Sequence, residues 1–150
     1  MARYASDYIT GKKNLPQPHD GVASEVPFKV VLPAALVVSD TIAVCTIPAG
    51  VQIVDYKVIA PQLDSNGAPT LAHSIGVENA ARTDLATVFE AGLTFGRTAS
   101  GSVSRATVSV PALDATMATA DRVIALKTTT AAATAALAGK TVLVVLYLAN

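Results

Sequence analysis

The side chains able to do chemistry are few, and their spacing keeps them apart. His73 and Glu78 stand five residues apart on a segment that reads as a β-strand. An odd separation sends them to opposite sides of the strand, so they are poor partners for one metal ion. The other histidine, His19, sits beside Asp20 in a Pro/Gly-rich stretch and reads as a solvated turn or an interface hydrogen bond. Two histidines with no cysteine partner do not make a zinc site. Asp64-Ser65-Asn66-Gly67 resembles the opening of a calcium loop, but Ala68-Pro69-Thr70-Leu71 brings no further ligand. Asp64 and Asn66 are expected instead to bond the local backbone in a turn. Cys45 lies in the apolar run Ile42-Ala43-Val44-Cys45, where a thiol acts as a small buried hydrophobe. Ser74, Ser100, Ser102, Ser104 and Ser109 include no nucleophile elbow. Gly92-Leu93-Thr94-Phe95-Gly96 is too short for a phosphate loop. Asp55, Asp64 and Glu78 could in principle pair as acid and base, but nothing in their spacing brings them together. The expectation is a protein that is not an enzyme, with no cofactor and no metal.

The elements around these residues are β. Ile47-Pro48-Ala49-Gly50 is a turn, and Val51–Ala60 is rich in Cβ-branched residues, with Val54, Tyr56 and Val58 predicted on one strand face. Leu63–Pro69 is loop chemistry, and Thr70–Val77 returns as a strand, so the unit reads as a hairpin-like piece of a sandwich. Further strands are predicted over Val26–Leu32, within Val37–Thr46, and over Val103–Val110, Arg122–Thr128 and Thr141–Leu148. The last, TVLVVLYL, is apolar on both faces and predicts a central or an intersubunit strand. Between Arg82 and Phe95, the residues Leu85, Val88, Phe89 and Leu93 recur at helix-like spacing, which predicts a short helix or covering loop ended by Gly96. Thr128–Ala138 is low in complexity and predicts a turn or short helical segment.

Together these predict an all-β fold: an antiparallel β-sandwich, jelly-roll-like, with at most one or two short helices. At 150 residues one domain is expected, over residues 25–150. It is preceded by an extended N-terminal arm, residues 1–24, whose Pro and Gly residues break any regular period. Tyr4, Tyr8 and Ile9 are the arm's expected apolar anchors on a partner, and Arg3, Lys12 and Lys13 its polar contacts.

Composition points toward assembly. Ala, Val and Thr number 28, 19 and 16, so the chain is built from small and Cβ-branched side chains. Charged residues make up only 15%, well below the ~25–35% of a designed soluble surface, so part of the surface is expected to be covered by a neighbour. Eleven basic and eleven acidic residues cancel, which argues against nucleic acid as a partner. A single cysteine excludes an internal disulfide. The start of the chain has no apolar secretory core, and Val142–Leu148 is too short to span a membrane, so no membrane partner is expected.

The order of several short motifs resembles the head decoration, or cement, proteins of tailed bacteriophages. Those motifs are Ile47-Pro48-Ala49-Gly50, Leu63-Asp64-Ser65-Asn66-Gly67-Ala68-Pro69-Thr70-Leu71 and Ile75-Gly76-Val77, then Ala120-Asp121-Arg122-Val123-Ile124 and Gly139–Tyr147. The likeness covers roughly Pro33 to Asn150 and leaves out most of the arm. The resemblance implies a β-sandwich made in the bacterial host cytoplasm. It would sit on the outer surface of the virion's icosahedral capsid and bridge subunits of the major capsid protein. It implies no catalytic residues. Self-association as a homotrimer or homodimer would suit the capsid axes. Two other readings are a carbohydrate-binding module and a tail or head-completion protein. The first is opposed by the scarcity of aromatic platforms, with no Trp, three Phe and four Tyr.

Overall fold

The computed structural model describes residues 1–14, 24–99, 102–105 and 118–149. These form nine strands: β1 (Arg3–Ala5), β2 (Ser24–Val31), β3 (Thr41–Ile47), β4 (Gln52–Ala60), β5 (Ala72–Glu78), β6 (Leu85–Leu93), β7 (Ser102–Arg105), β8 (Arg122–Thr130) and β9 (Thr141–Ala149). No helix occurs among the described residues. One sheet runs β1-β3-β8-β5-β6 and the other β2-β9-β4-β7. Strands β2 to β9 follow jelly-roll order, each step crossing to the other sheet except β5 to β6, which are neighbours in one sheet, and all pair antiparallel. β1 is the addition: it lies parallel to β3 and extends the five-stranded sheet.

β9 is central in the four-stranded sheet, between β2 and β4, as its unbroken apolar run predicts. Val142, Val144, Leu146 and Leu148 point inward and are buried. They join Phe28, Ile42, Ile47, Tyr56, Ile75, Ile124 and Leu126 in one core between the sheets. Burying one such aliphatic side chain contributes roughly 1.5–3 kcal/mol. On the outward side of β9, Val145 is also buried, while Leu143 and Tyr147 are half-buried.

Three expectations are corrected. β4 and β5 are not a hairpin, because they lie in opposite sheets and the Pro61–Leu71 segment crosses between them. A bulge between Ile53 and Asp55 shifts the alternation of β4. Ile53, Tyr56 and Val58 therefore face the core, while Val54 is 40% exposed. Arg82–Phe95 is not a helix: its main part is β6, antiparallel to β5. Register shifts fall at three places along this pair, and each breaks the period of two, which leaves the apolar residues at helix-like intervals. Gly76 allows the close approach of the two strands, since a Cβ there would stand 2.0 Å from the Thr87 carbonyl oxygen. Of the predicted strand Val103–Val110, β7 accounts for the first residues, and 106–110 lie outside the described residues.

Candidate functional site

The described part of the arm lies on the chain's own sandwich. β1 adds to the free side of β3, with the Thr41 N–H donating to the Ala2 carbonyl and the Ser6 N–H to the Ala43 carbonyl, each at 3.0 Å. The buried Ser6 hydroxyl donates to the Val44 carbonyl. Two acidic side chains fix the strand. Asp40, buried in the turn before β3, accepts from the Ala2 N–H at 2.5 Å and the Val37 N–H at 3.0 Å. Glu78, buried at the end of β5, takes a two-pronged contact from the Arg3 guanidinium at 2.8 and 2.9 Å. Hydrogen bonding to Glu78 raises the pKa of Arg3, against a smaller lowering by burial.

Of the other predicted arm residues, Tyr4 is half-buried against the core. The Tyr8 ring meets Phe28 edge-on, with centroids 4.7 Å apart. Ile9 is half-buried, and Lys12 and Lys13 are exposed. Lys12 stands 3.8 Å from Asp7, and the Lys13 ammonium lies 5.8 Å from the centre of the Tyr8 ring. Arg3, Tyr4 and Tyr8 thus converge on the sandwich, while Lys12 and Lys13 point to solvent. The remaining arm positions, 15–23, lie outside the described residues.

At the far end of the loops, Asp64 does what its turn chemistry predicts, and more. Its carboxylate is fully buried and accepts from five backbone N–H groups, those of Asn66, Thr70, Leu71, Ala133 and Thr134, at 2.9–3.2 Å. Burial works to raise the carboxyl's pKa, but these N–H groups outweigh it and hold the pKa well below the usual carboxylate range. An oxygen pair so filled with donors has no room for a cation, so Asp64 clamps two loops and is not a calcium ligand. The second loop, Ala131–Leu137, is the low-complexity stretch, and it forms neither helix nor strand beyond an isolated bridge from Ala135 to Asp64.

His73 lies beside this clamp, fully buried. Its ring stacks on Phe95, with centroids 4.5 Å apart and planes 10° from parallel. Nδ1 is 3.4 Å from the Thr128 hydroxyl, and Nε2 has no hydrogen-bond partner among the described residues. Burial first, and the charge of Arg97 second, lower the His73 pKa to about 4, so the ring is neutral near pH 7. Glu78 points into the Arg3 contact and His73 into the Phe95 stack, so the two do not meet. Burial likewise pushes the Cys45 thiol up, which leaves it un-ionised and unreactive. Tyr56 is raised by burial and by its 2.6 Å hydrogen bond to Glu90, which links the two sheets across the core. A polar cleft of about 330 Å³ opens beside Glu78, Arg82, Asp121 and Arg122, where acid and base balance and no nucleophile stands. Among the described residues, no group of three or more His, Cys, Asp or Glu side chains could hold a metal ion.

Sequence reasoning missed the anchoring roles of Asp40 and Glu78. Asp40 had a usable signal, a Ser-Asp pair just before a Cβ-branched strand. Glu78 had none, because its partner lies 75 residues away.

The fold and these contacts define a jelly-roll sandwich whose buried polar groups hold the arm and loops in place. No protein-family profile matches the chain, and no curated protein matches it significantly. Among solved structures it is similar to a chain in the capsid of Ralstonia phage GP4, with 28% sequence identity and a TM-score of 0.84. That alignment covers 99% of this chain and 97% of the other. It is also similar to a chain in the capsid asymmetric unit of cyanophage Pam1, with a TM-score of 0.56, covering 93% of this chain and 96% of that one. The second likeness, at 19% identity, is one of fold alone.

Proposed function

We propose that this chain is a non-enzymatic structural component of a bacteriophage capsid. The observation that carries the reading is the end-to-end likeness to the GP4 capsid chain, arm and sandwich together, at 28% identity. The interior supports it: the buried Asp64 carboxylate is spent on clamping two loops, and Cys45 and His73 are enclosed. Within the capsid, the proposed role is that of a decoration protein. It binds the outer surface of the shell and bridges neighbouring subunits of the major capsid protein. Such a role needs about 1,200–2,000 Å² of buried surface per specific contact, repeated over many copies. Low charge, and exposed Val31, Val37, Val38 and Val88, supply surface suited to burial. In the arm, Lys12, Lys13 and Ile9 are proposed to meet the partner, and Arg3, Tyr4 and Tyr8 to hold the arm in a shape that can do so. Association of copies as a trimer or dimer belongs to the same proposal.

The test is the number and position of copies in purified virions. Quantitative mass spectrometry should give a copy number of the same order as the major shell protein. Antibodies raised against the folded chain should bind intact particles, while Lys12 and Lys13 should be labelled less on the particle than in the free protein. A copy number in the range of a single connector ring, or antibody binding only after the particle is opened, would overturn the decoration role.

A further inference from the structure

Among the described residues, the four-stranded sheet has an unpaired edge at β2, and only half of it is closed. In the ladder to β9, the Leu32 N–H donates to the Lys140 carbonyl, so the even-numbered residues of β2 direct their backbone groups toward β9. The odd-numbered residues direct theirs outward. Pro27 has no N–H to offer, and its carbonyl lies 3.5 Å from the Tyr8 hydroxyl, so the arm covers that position. Two positions further on the edge is open. Lys29 and Val31 are both exposed, Val31 at 62%, and their outward N–H and C=O groups have no partner among the described residues. A cleft of about 270 Å³ adjoins them, lined by Ala5, Ser6, Asp7, Lys13, Lys29 and Val31. Its charge is lopsided. Lys13 and Lys29 face it, and the one lining carboxylate, Asp7, is already near the Lys12 ammonium at 3.8 Å.

We propose that the β2 edge at Lys29–Val31 is a docking site for an extended acidic segment of another protein, which adds to the sheet as a further strand. Two outward residues spaced by two offer the hydrogen-bonding groups of a strand edge. Lys29 and Val31 share one face, so the segment that fits carries an acidic residue and an apolar residue two apart. A second copy of this chain is the poorer occupant, because edge-to-edge pairing would bring two Lys29 ammonium groups together.

The probe is a blocked heptapeptide, Thr-Glu-Thr-Val-Thr-Glu-Thr, titrated into the isotope-labelled full chain and followed by NMR. The expected result is shift changes and slowed exchange at the Lys29 and Val31 amides. The same peptide with Lys in place of Glu should bind about tenfold more weakly. Val31→Pro removes one outward N–H and leaves the β9 ladder intact, as Pro27 already does, and it should abolish binding without unfolding the chain. Lys29→Glu should invert the preference between the two peptides. Equal binding of both peptides, undiminished binding to Val31→Pro, or no binding at all would overturn the proposal. So would self-association that Val31→Pro removes, since the edge would then belong to a second copy. Peptide capture and placement in a capsid are measured separately, so either can fail alone.

Discussion

Asp64 and His73 are buried within the same loop end, yet acid acts on them at different pH. Asp64 has its folded pKa pushed below the unfolded value of about 3.9. Its contribution is therefore whole above that value and is lost only as pH falls further. His73 is also depressed, from 6.5 to about 4, but it is a base. Its burial as the neutral ring is tolerated above pH 6.5 and becomes increasingly destabilising as pH falls toward 4. The geometry agrees: a second ring N–H would find no acceptor at Nε2 and would sit near the Arg97 charge. From β8, Lys127 is engaged by Asp84, and from β6, Glu90 is engaged by Tyr56, so neither is free to compensate. Stability should drop by ~3 kcal/mol between pH 6.5 and 4. Urea titrations across that range should show the drop in the wild type and lose most of it in His73→Phe. Asp64→Asn turns one acceptor into a donor facing N–H groups and should cost ~3 kcal/mol at pH 7, read by the same titration. The Asp64 turn was legible because Asp-Ser-Asn-Gly is local turn chemistry. Burial of His73 was not, because the Phe95 that covers it comes from another segment.

At the scale of elements, the strands were legible where a period of two runs unbroken, as in β2, or where an apolar run is continuous, as in β9. They were not where bulges interrupt it, as in β4 and β6. Gly76 marks the tightest strand contact, and Gly76→Ala should force β5 and β6 apart at a cost of ~2–3 kcal/mol, measured by thermal melting. Val144→Asp buries a charge in the centre of β9 and should cost several kcal/mol. Out of a total of about 5–15 kcal/mol, that is enough to unfold the domain or nearly so. Thr129→Asp, at an exposed position of β8, should be nearly neutral, and soluble yield compares the two. The docking of β1 rests on Arg3 and Glu78. Arg3→Ala leaves Glu78 buried without its cation and should cost ~1–3 kcal/mol, less than a fully enclosed pair because Arg3 is 25% exposed. Faster proteolysis within residues 1–14, with the sandwich intact, would be its signature.

The whole molecule is a jelly roll whose apolar run β9, inter-sheet core and low charge were all visible in the sequence. The surface that meets a partner was not, since exposure is decided by which strands end up at sheet edges. Capsid membership is the central claim, and one measurement tests it most directly: a cryo-EM reconstruction of the virion that carries this chain, or of its capsid reconstituted with the purified protein. The result predicted is ordered density for the two-sheet sandwich on the outer surface, in contact with at least two shell subunits. Particles whose shell is complete without any density for this sandwich would contradict it.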